Sequence, residues 1–200
     1  MAEQQAKASS QGDDSTNSSN QEARENEKNP AISNPRWEDT KGQAITKALV
    51  GDEVYLCADI TDIADGATAT IKIIEKDADG KDDPVTPLSA VVSGGKIKCR
   101  WQVTYTADED DADSQKELKE KGYTLPEYAF VVECGGATSG ESRVLEIYAD
   151  FIAKLSMNGK LLRNYPYILK LADGSCRKGQ TNSEGDIIEN ELPVGKVKIL

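Results

Sequence analysis

The segment KIKCRWQVTYT (Lys96–Thr106) alternates without a break. Ile97, Cys99, Trp101, Val103 and Tyr105 fall on one side; Lys96, Lys98, Arg100, Gln102 and Thr104 fall on the other. A period of two with one apolar side is the pattern of a strand with one face on a core and one in water. It excludes an amphipathic helix, whose apolar positions recur about every three to four residues. A chain organised round such a segment is expected to form antiparallel sheets.

The flanking sequence repeats this pattern between turn residues. VYLCADI (Val54–Ile60) places Val54, Leu56, Ala58 and Ile60 on one face and Tyr55, Cys57 and Asp59 on the other. After Ala64-Asp65-Gly66, the β-branched run Ala67–Asp77 reads as a second strand. Pro84 and Pro87 mark a loop or an edge, and Leu88–Val92 a short strand that Ser93-Gly94-Gly95 closes as a hairpin. EYAFVVECGG (Glu127–Gly136) sets Tyr128, Phe130, Val132 and Cys134 on one face, and Arg143–Tyr148 continues towards Ile152. Short strands at near-regular spacing with Gly/Asp turns predict an immunoglobulin-like (Ig-like) antiparallel β-sandwich over residues 36–147.

A second, smaller β-module is expected over residues 148–200. FIAKLSM leads into Asn158-Gly159, a strong hairpin signal. NYPYILKL (Asn164–Leu171) is a strand, Asp173-Gly174 a turn, and Ser175–Thr181 the return. Asn182–Asp186 turns again, Asp186–Ile188 is short, and Lys196–Leu200 is the last strand, expected at or near a sheet edge. A unit of this size is expected to lean on its neighbour. Residues 1–35 hold one strong aliphatic, Ile32, and no aromatic, and read as a disordered tail.

Charge and composition narrow the function. There are 35 acidic and 24 basic residues, a net charge of −11. Nucleic acid and an anionic membrane surface are therefore not expected partners. The sequence has no histidine, which removes the Ser-His-Asp triad, the Cys-His dyad and the HExxH zinc site. No apolar run is long enough for a membrane-spanning helix, and no signal peptide is read at the N-terminus. The four cysteines lack CxxC spacing and are expected to be reduced. The carboxylates of Asp77–Asp83 and Asp108–Asp113 read either as solvated loops or as weak cation sites. No catalytic residue, cofactor or metal ligand is assigned.

The residues Gly159-Lys160, Tyr165 or Tyr167, Asp173-Gly174, Gly179, Thr181, Gly185 and Leu192-Pro193-Val194-Gly195 follow one another in a familiar order. In this order Asn158–Leu200 resembles the transthyretin-like, carboxypeptidase-regulatory-like β-modules. Such modules occur as C-terminal extensions of VgrG-type spike proteins of type VI secretion systems. Trp37–Gly80, with KCRWQVTYT and PEYAFVVECGG, resembles the Ig-like module found beside them. Transthyretin-like relatives include modules with Lys–Asn isopeptide bonds; Lys154 stands on the first strand, but Lys196–Leu200 contains no Asn.

The resemblance implies a non-enzymatic structural or adaptor module of a contractile injection apparatus, joining spike and cargo or decorating a particle component. Its partners would be spike, tail-tip or cargo proteins. It would be cytoplasmic during assembly and then delivered outside the cell with the apparatus. Two alternatives stay open: a secreted cargo or effector whose tail is a packaging signal, and an envelope adhesion module. An edge strand suits pairing with a partner strand, so the expected protein-binding residues are Lys196, Val197, Lys198, Ile199 and Leu200.

Overall fold

The computed structural model describes residues 29–76, 82–106 and 122–200. The described residues are all-β, and none of them forms a helix long and apolar enough to cross a membrane. The strands are β1 (Ala31–Glu38), β2 (Lys47–Leu49), β3 (Glu53–Thr61), β4 (Thr68–Glu75), β5 (Asp83–Val91) and β6 (Lys96–Gln102). There follow β7 (Glu127–Cys134), β8 (Ala137–Thr138) and the long β9 (Leu145–Lys154). Beyond it lie β10 (Ser156–Met157), β11 (Lys160–Leu161), β12 (Pro166–Lys170), β13 (Cys176–Gln180), β14 (Asp186–Pro193) and β15 (Lys198–Ile199).

Two sheets make the first sandwich. One has the order β1-β3-β6. The other has the order β14-β9-β7-β4-β5, with β2 also on β9 and β8 also on β7. The alternation of Lys96–Gln102 becomes alternate exposure and burial along β6, with Ile97, Cys99 and Trp101 inside. Trp37 of β1 bridges the two sheets. Its ring meets Phe130 of β7 edge-on at 4.8 Å and lies 5.9 Å from Trp101. Its Nε1–H donates to the Arg143 carbonyl at 3.0 Å, so the one polar atom of a buried ring is satisfied.

Four expectations need correction. The tail was expected to be disordered to residue 35, but Ala31–Pro35 belong to β1. Ile32 pairs with Ile60 and is buried; that anchor, with the backbone ladder to β3, offsets the polar composition around it. Residues 1–28 lie outside the described residues. The strand expected at Leu88–Val92 starts at Asp83 and takes both prolines with it. It is an edge strand with a bulge at Val85, beside Pro84, and prolines are tolerated at an edge or a bulge because the missing N–H need not serve a second strand.

Ser93-Gly94-Gly95 makes the tight turn but does not close a hairpin. β5 pairs with β4 in one sheet and β6 pairs with β3 in the other, so this turn is a corner between sheets. The two Gly N–H groups donate to the Asp65 carboxylate at 3.0 and 3.4 Å, which holds the corner. Cys57 points to the outer face with Tyr55, as expected, yet is only 3% exposed. It pairs with Arg36 of β1 and lies beside the buried Glu38, which takes Arg36 Nε at 2.8 Å and Lys98 Nζ at 3.7 Å.

The second unit shares a strand with the first. Leu145 and Ile147 at the start of β9 belong to the first core. Phe151 and Ala153 further along pack against a second cluster of Tyr167, Leu169, Leu171, Ile187 and Leu192. β14 runs antiparallel to this outer half of β9, from Pro193↔Tyr148 to Asp186↔Lys154. The sheet β13-β12-β15 and the two-stranded sheet β10-β11 supply the remaining strands of the unit. The Asn158-Gly159 hairpin joins β10 to β11, and Asp173-Gly174 joins β12 to β13, as the sequence predicts.

Within that sheet Tyr167 stands opposite Gly179. A Cβ at Gly179 would sit 2.3 Å from the Tyr167 hydroxyl oxygen, so only glycine admits the ring. The hydroxyl donates to Glu189 Oε1 at 2.7 Å, which fixes the ring across the strand.

Two stability outcomes are expected. Trp37→Ala removes a buried indole shared by both sheets and should lower unfolding free energy by about 3–5 kcal/mol in a urea titration. Arg100→Ala, on the exposed side of β6, should change it by about 0.5 kcal/mol or less; similar losses from both would show that the faces are misassigned. By the same titration, Gly179→Ala should destabilise by about 1–3 kcal/mol through displacement of Tyr167, and a neutral effect would mean the ring has room elsewhere.

Candidate functional site

The five C-terminal residues expected to bind a partner lie on and beside β15. This strand occupies one edge of the sheet β13-β12-β15 and pairs only with β12 there, through Leu169↔Ile199 and Lys170↔Lys198. The Leu200 N–H donates to the Ile168 carbonyl at 2.9 Å. Hydrogen-bonded positions alternate in an antiparallel ladder. Lys198 and Leu200 therefore turn their backbone groups to β12, while Val197 and Ile199 turn theirs outward. The side chains also alternate. Val197 packs on the second cluster, and Ile199 and Leu200 remain 43% and 70% exposed.

A cavity of about 240 Å3 lies where the two units meet, at the start of this strand. Tyr105, Tyr123, Leu171 and Val194 are among its walls, and Lys170, Lys196 and Lys198 are among its polar lining. The Tyr123 hydroxyl donates to the Val194 carbonyl at 2.9 Å. Burial pushes the Tyr123 phenol well above its ordinary range, so it stays a neutral donor. Gly195 holds a φ of 130°, and a Cβ there would meet the Ala172 Cβ at 2.8 Å. This glycine lets the chain pass close to β12 before β15 begins.

The sequence did not point to Tyr105 and Tyr123 as neighbours of the C-terminal strand. Tyr105 was visible as the last apolar position of an alternating run. Tyr123 stands between Gly122 and Thr124 with no periodic signal around it.

Other candidate groups resolve differently. Asp186 on β14 takes Lys154 Nζ at 2.7 Å and Asn182 Nδ2 at 3.2 Å. Those hydrogen bonds, Lys154 first, hold its carboxyl below the ordinary value. Amide formation needs a neutral amine and a protonated acid, and the ion pair between the exposed Lys154 and the half-buried Asp186 favours the opposite charge state. The Cys57 thiol is pushed up to about 12 by burial and by Glu38, so it is protonated at neutral pH. All four cysteines are unbridged. The acidic runs at residues 77–81 and 107–121 lie outside the described residues, and no group of three or more acidic or cysteine side chains is clustered as a metal site among the described ones.

No protein-family model matches the chain, and no curated protein matches it. Among solved structures the chain is similar to that of the Pseudomonas fluorescens alkylpurine DNA glycosylase AlkC bound to DNA containing an abasic site analog. The identity is 10% and the TM-score 0.31, and the match covers 59% of this chain and 30% of that one. A likeness of that size carries no argument about fold or chemistry.

The Asp186 carboxyl should titrate below the ordinary aspartate range in an NMR pH series. Lys154→Ala should move it upward. The pair's contribution to stability is present above the ordinary carboxylate range and fades as pH falls through the lowered value. An unchanged titration in the variant would show that Lys154 does not hold the carboxylate in solution.

Proposed function

We propose that the chain is a non-enzymatic adaptor or structural module of a bacterial contractile injection (type VI secretion) apparatus. It joins spike to cargo, or decorates a particle component, through spike, tail-tip or cargo proteins. In this reading the first sandwich is the Ig-like module and residues 148–200 are the transthyretin-like module. The module assembles in the cytoplasm and leaves the cell with the apparatus.

The observation that carries the reading is the outer edge of β15, where Val197 and Ile199 direct backbone groups away from the sheet. Such an edge is a template for a partner strand. The order of strands and turns from Asn158 to Leu200 adds support, including the Tyr167–Gly179 contact within the motif that carries the resemblance. The absence of histidine removes imidazole acid–base chemistry, and the Cys57 thiol is protonated at neutral pH.

The test is co-purification with spike, tail-tip and baseplate proteins. One variant lacks Lys196–Leu200; another neutralises Asp108, Glu109, Asp110, Asp111 and Asp113. Circular dichroism first establishes that both are folded. The deletion should lose the partner and the neutralised variant should keep it. The reverse pattern overturns β15 as the contact, because charge on the acidic run would then carry it, and failure of the unaltered chain to co-purify with any of these proteins overturns the reading.

A further inference from the structure

The outward face of the sheet β13-β12-β15 is basic. Cross-strand partners share a face, so Lys170 lies with Lys198, and Lys178 with Ile168. Leu200, bonded to Ile168 across the ladder, falls on the same side, and Lys196, just before β15, lines one cavity with Lys170 and Lys198. All four lysines are exposed, and none is ion-paired with a described residue. The strands contribute no carboxylate to this face. Asp173, in the β12–β13 turn, accepts from Ser175 N at 2.9 Å and from Ser175 Oγ at 2.7 Å.

This arrangement is unexpected in a chain of net charge −11. Lys170 and Lys198 stand directly opposite each other, a placement of like charges that destabilises a ladder. An anion laid along β15 relieves that repulsion. Lys170, Lys196 and Lys198 also line the cavity walled by Tyr105 and Tyr123. An anion held there sits against low-dielectric walls, where its attraction to the ammonium groups is less screened than in open water. Another cavity of similar size, about 250 Å3, has Glu75, Asp83 and Thr104 among its lining and no basic residue among the described ones.

We propose that this face and edge accept an acidic, extended polypeptide segment that pairs with β15 as an additional strand. The proposal rests on the reading of β15 as a docking edge and names the chemistry of what docks. The segment's carboxylates lie over Lys196 and Lys198 and reach Lys170. Its alternate apolar side chains lie beside Val197 and Ile199, covering the exposed part of Ile199. The backbone groups of Val197 and Ile199 supply the ladder.

The test is fluorescence anisotropy on the full chain with a labelled peptide of alternating Glu and Val. Three further probes are used: the peptide with Lys in place of Glu, the Glu peptide with N-methylated valines, and a single-stranded oligothymidylate. The Glu peptide should bind, and added salt should weaken it. The combined variant Lys170→Gln, Lys196→Gln, Lys198→Gln should bind it at least about tenfold more weakly. N-methylation removes the donors a ladder needs, so that probe should bind poorly.

Each failure has its own meaning. Equal binding of the N-methylated probe overturns the docking-edge reading. Equal binding of the Lys peptide, or an unchanged affinity in the combined variant, overturns the acidic partner while leaving the edge. Tighter binding of the oligothymidylate makes the face a phosphate surface and overturns the proposal. Binding that appears only after Asp108, Glu109, Asp110, Asp111 and Asp113 are neutralised makes the chain's own acidic run the occupant, and overturns an external one. No binding by any probe overturns it outright.

Discussion

One strand serves two cores. β9 gives Leu145 and Ile147 to the first cluster and Phe151 and Ala153 to the second, along one ten-residue strand whose start pairs with β2 and β7 and whose outer half pairs with β14 across a bulge. Strand pairing leaves little freedom of rotation between residues a few positions apart, so the second unit is held in register with the first. Among the described residues the second cluster has five buried side chains. A core that small offsets little of the entropy of ordering about fifty residues. The shared strand supplies the missing order, and Val194, from the loop after β14, is itself buried in the first cluster.

The same constraint places the C-terminal edge. Because β14 is zipped to β9, the chain must return from Pro193 through Val194 and Gly195 to reach β12. The Tyr123 hydroxyl fastens that return to the first unit at Val194. β15 then has one side for β12 and the other for solvent. Its position as an edge is therefore a consequence of the junction.

Local geometry was legible in the sequence where a single residue type meets a single demand. Asn158-Gly159 and Asp173-Gly174 turn the chain because few other pairs turn it so tightly. The alternation of Lys96–Gln102 survives intact because one face has a core and the other has water. Legibility ended where two structures make the same local demand. Ser93-Gly94-Gly95 would serve a hairpin or an inter-sheet corner equally well, and only the partners of β5 and β6 decide between them. Ile32 shows the same limit, since one apolar residue in a polar stretch gives no period, and its burial depends on Ile60 far along the chain. Cys57 was placed on the correct face, but it is buried there, beside Glu38 of another strand. The C-terminal edge could be read from strand order; the tyrosines beside it could not, because their approach is set by the junction.

Lysines on an edge strand have a second effect that bears on which partners are excluded. A second copy of β15 laid against the first would bring Lys196 and Lys198 towards their own counterparts, and like charges opposite each other oppose pairing. The same side chains attract a strand bearing carboxylates. Discrimination is the difference between those two energies, so a weak repulsion and a weak attraction reinforce each other. Replacing the lysines with neutral residues would therefore do more than weaken an acidic partner. It would also remove the barrier to self-pairing, leaving backbone groups at Val197 and Ile199 open to any strand of suitable length, the chain's own included.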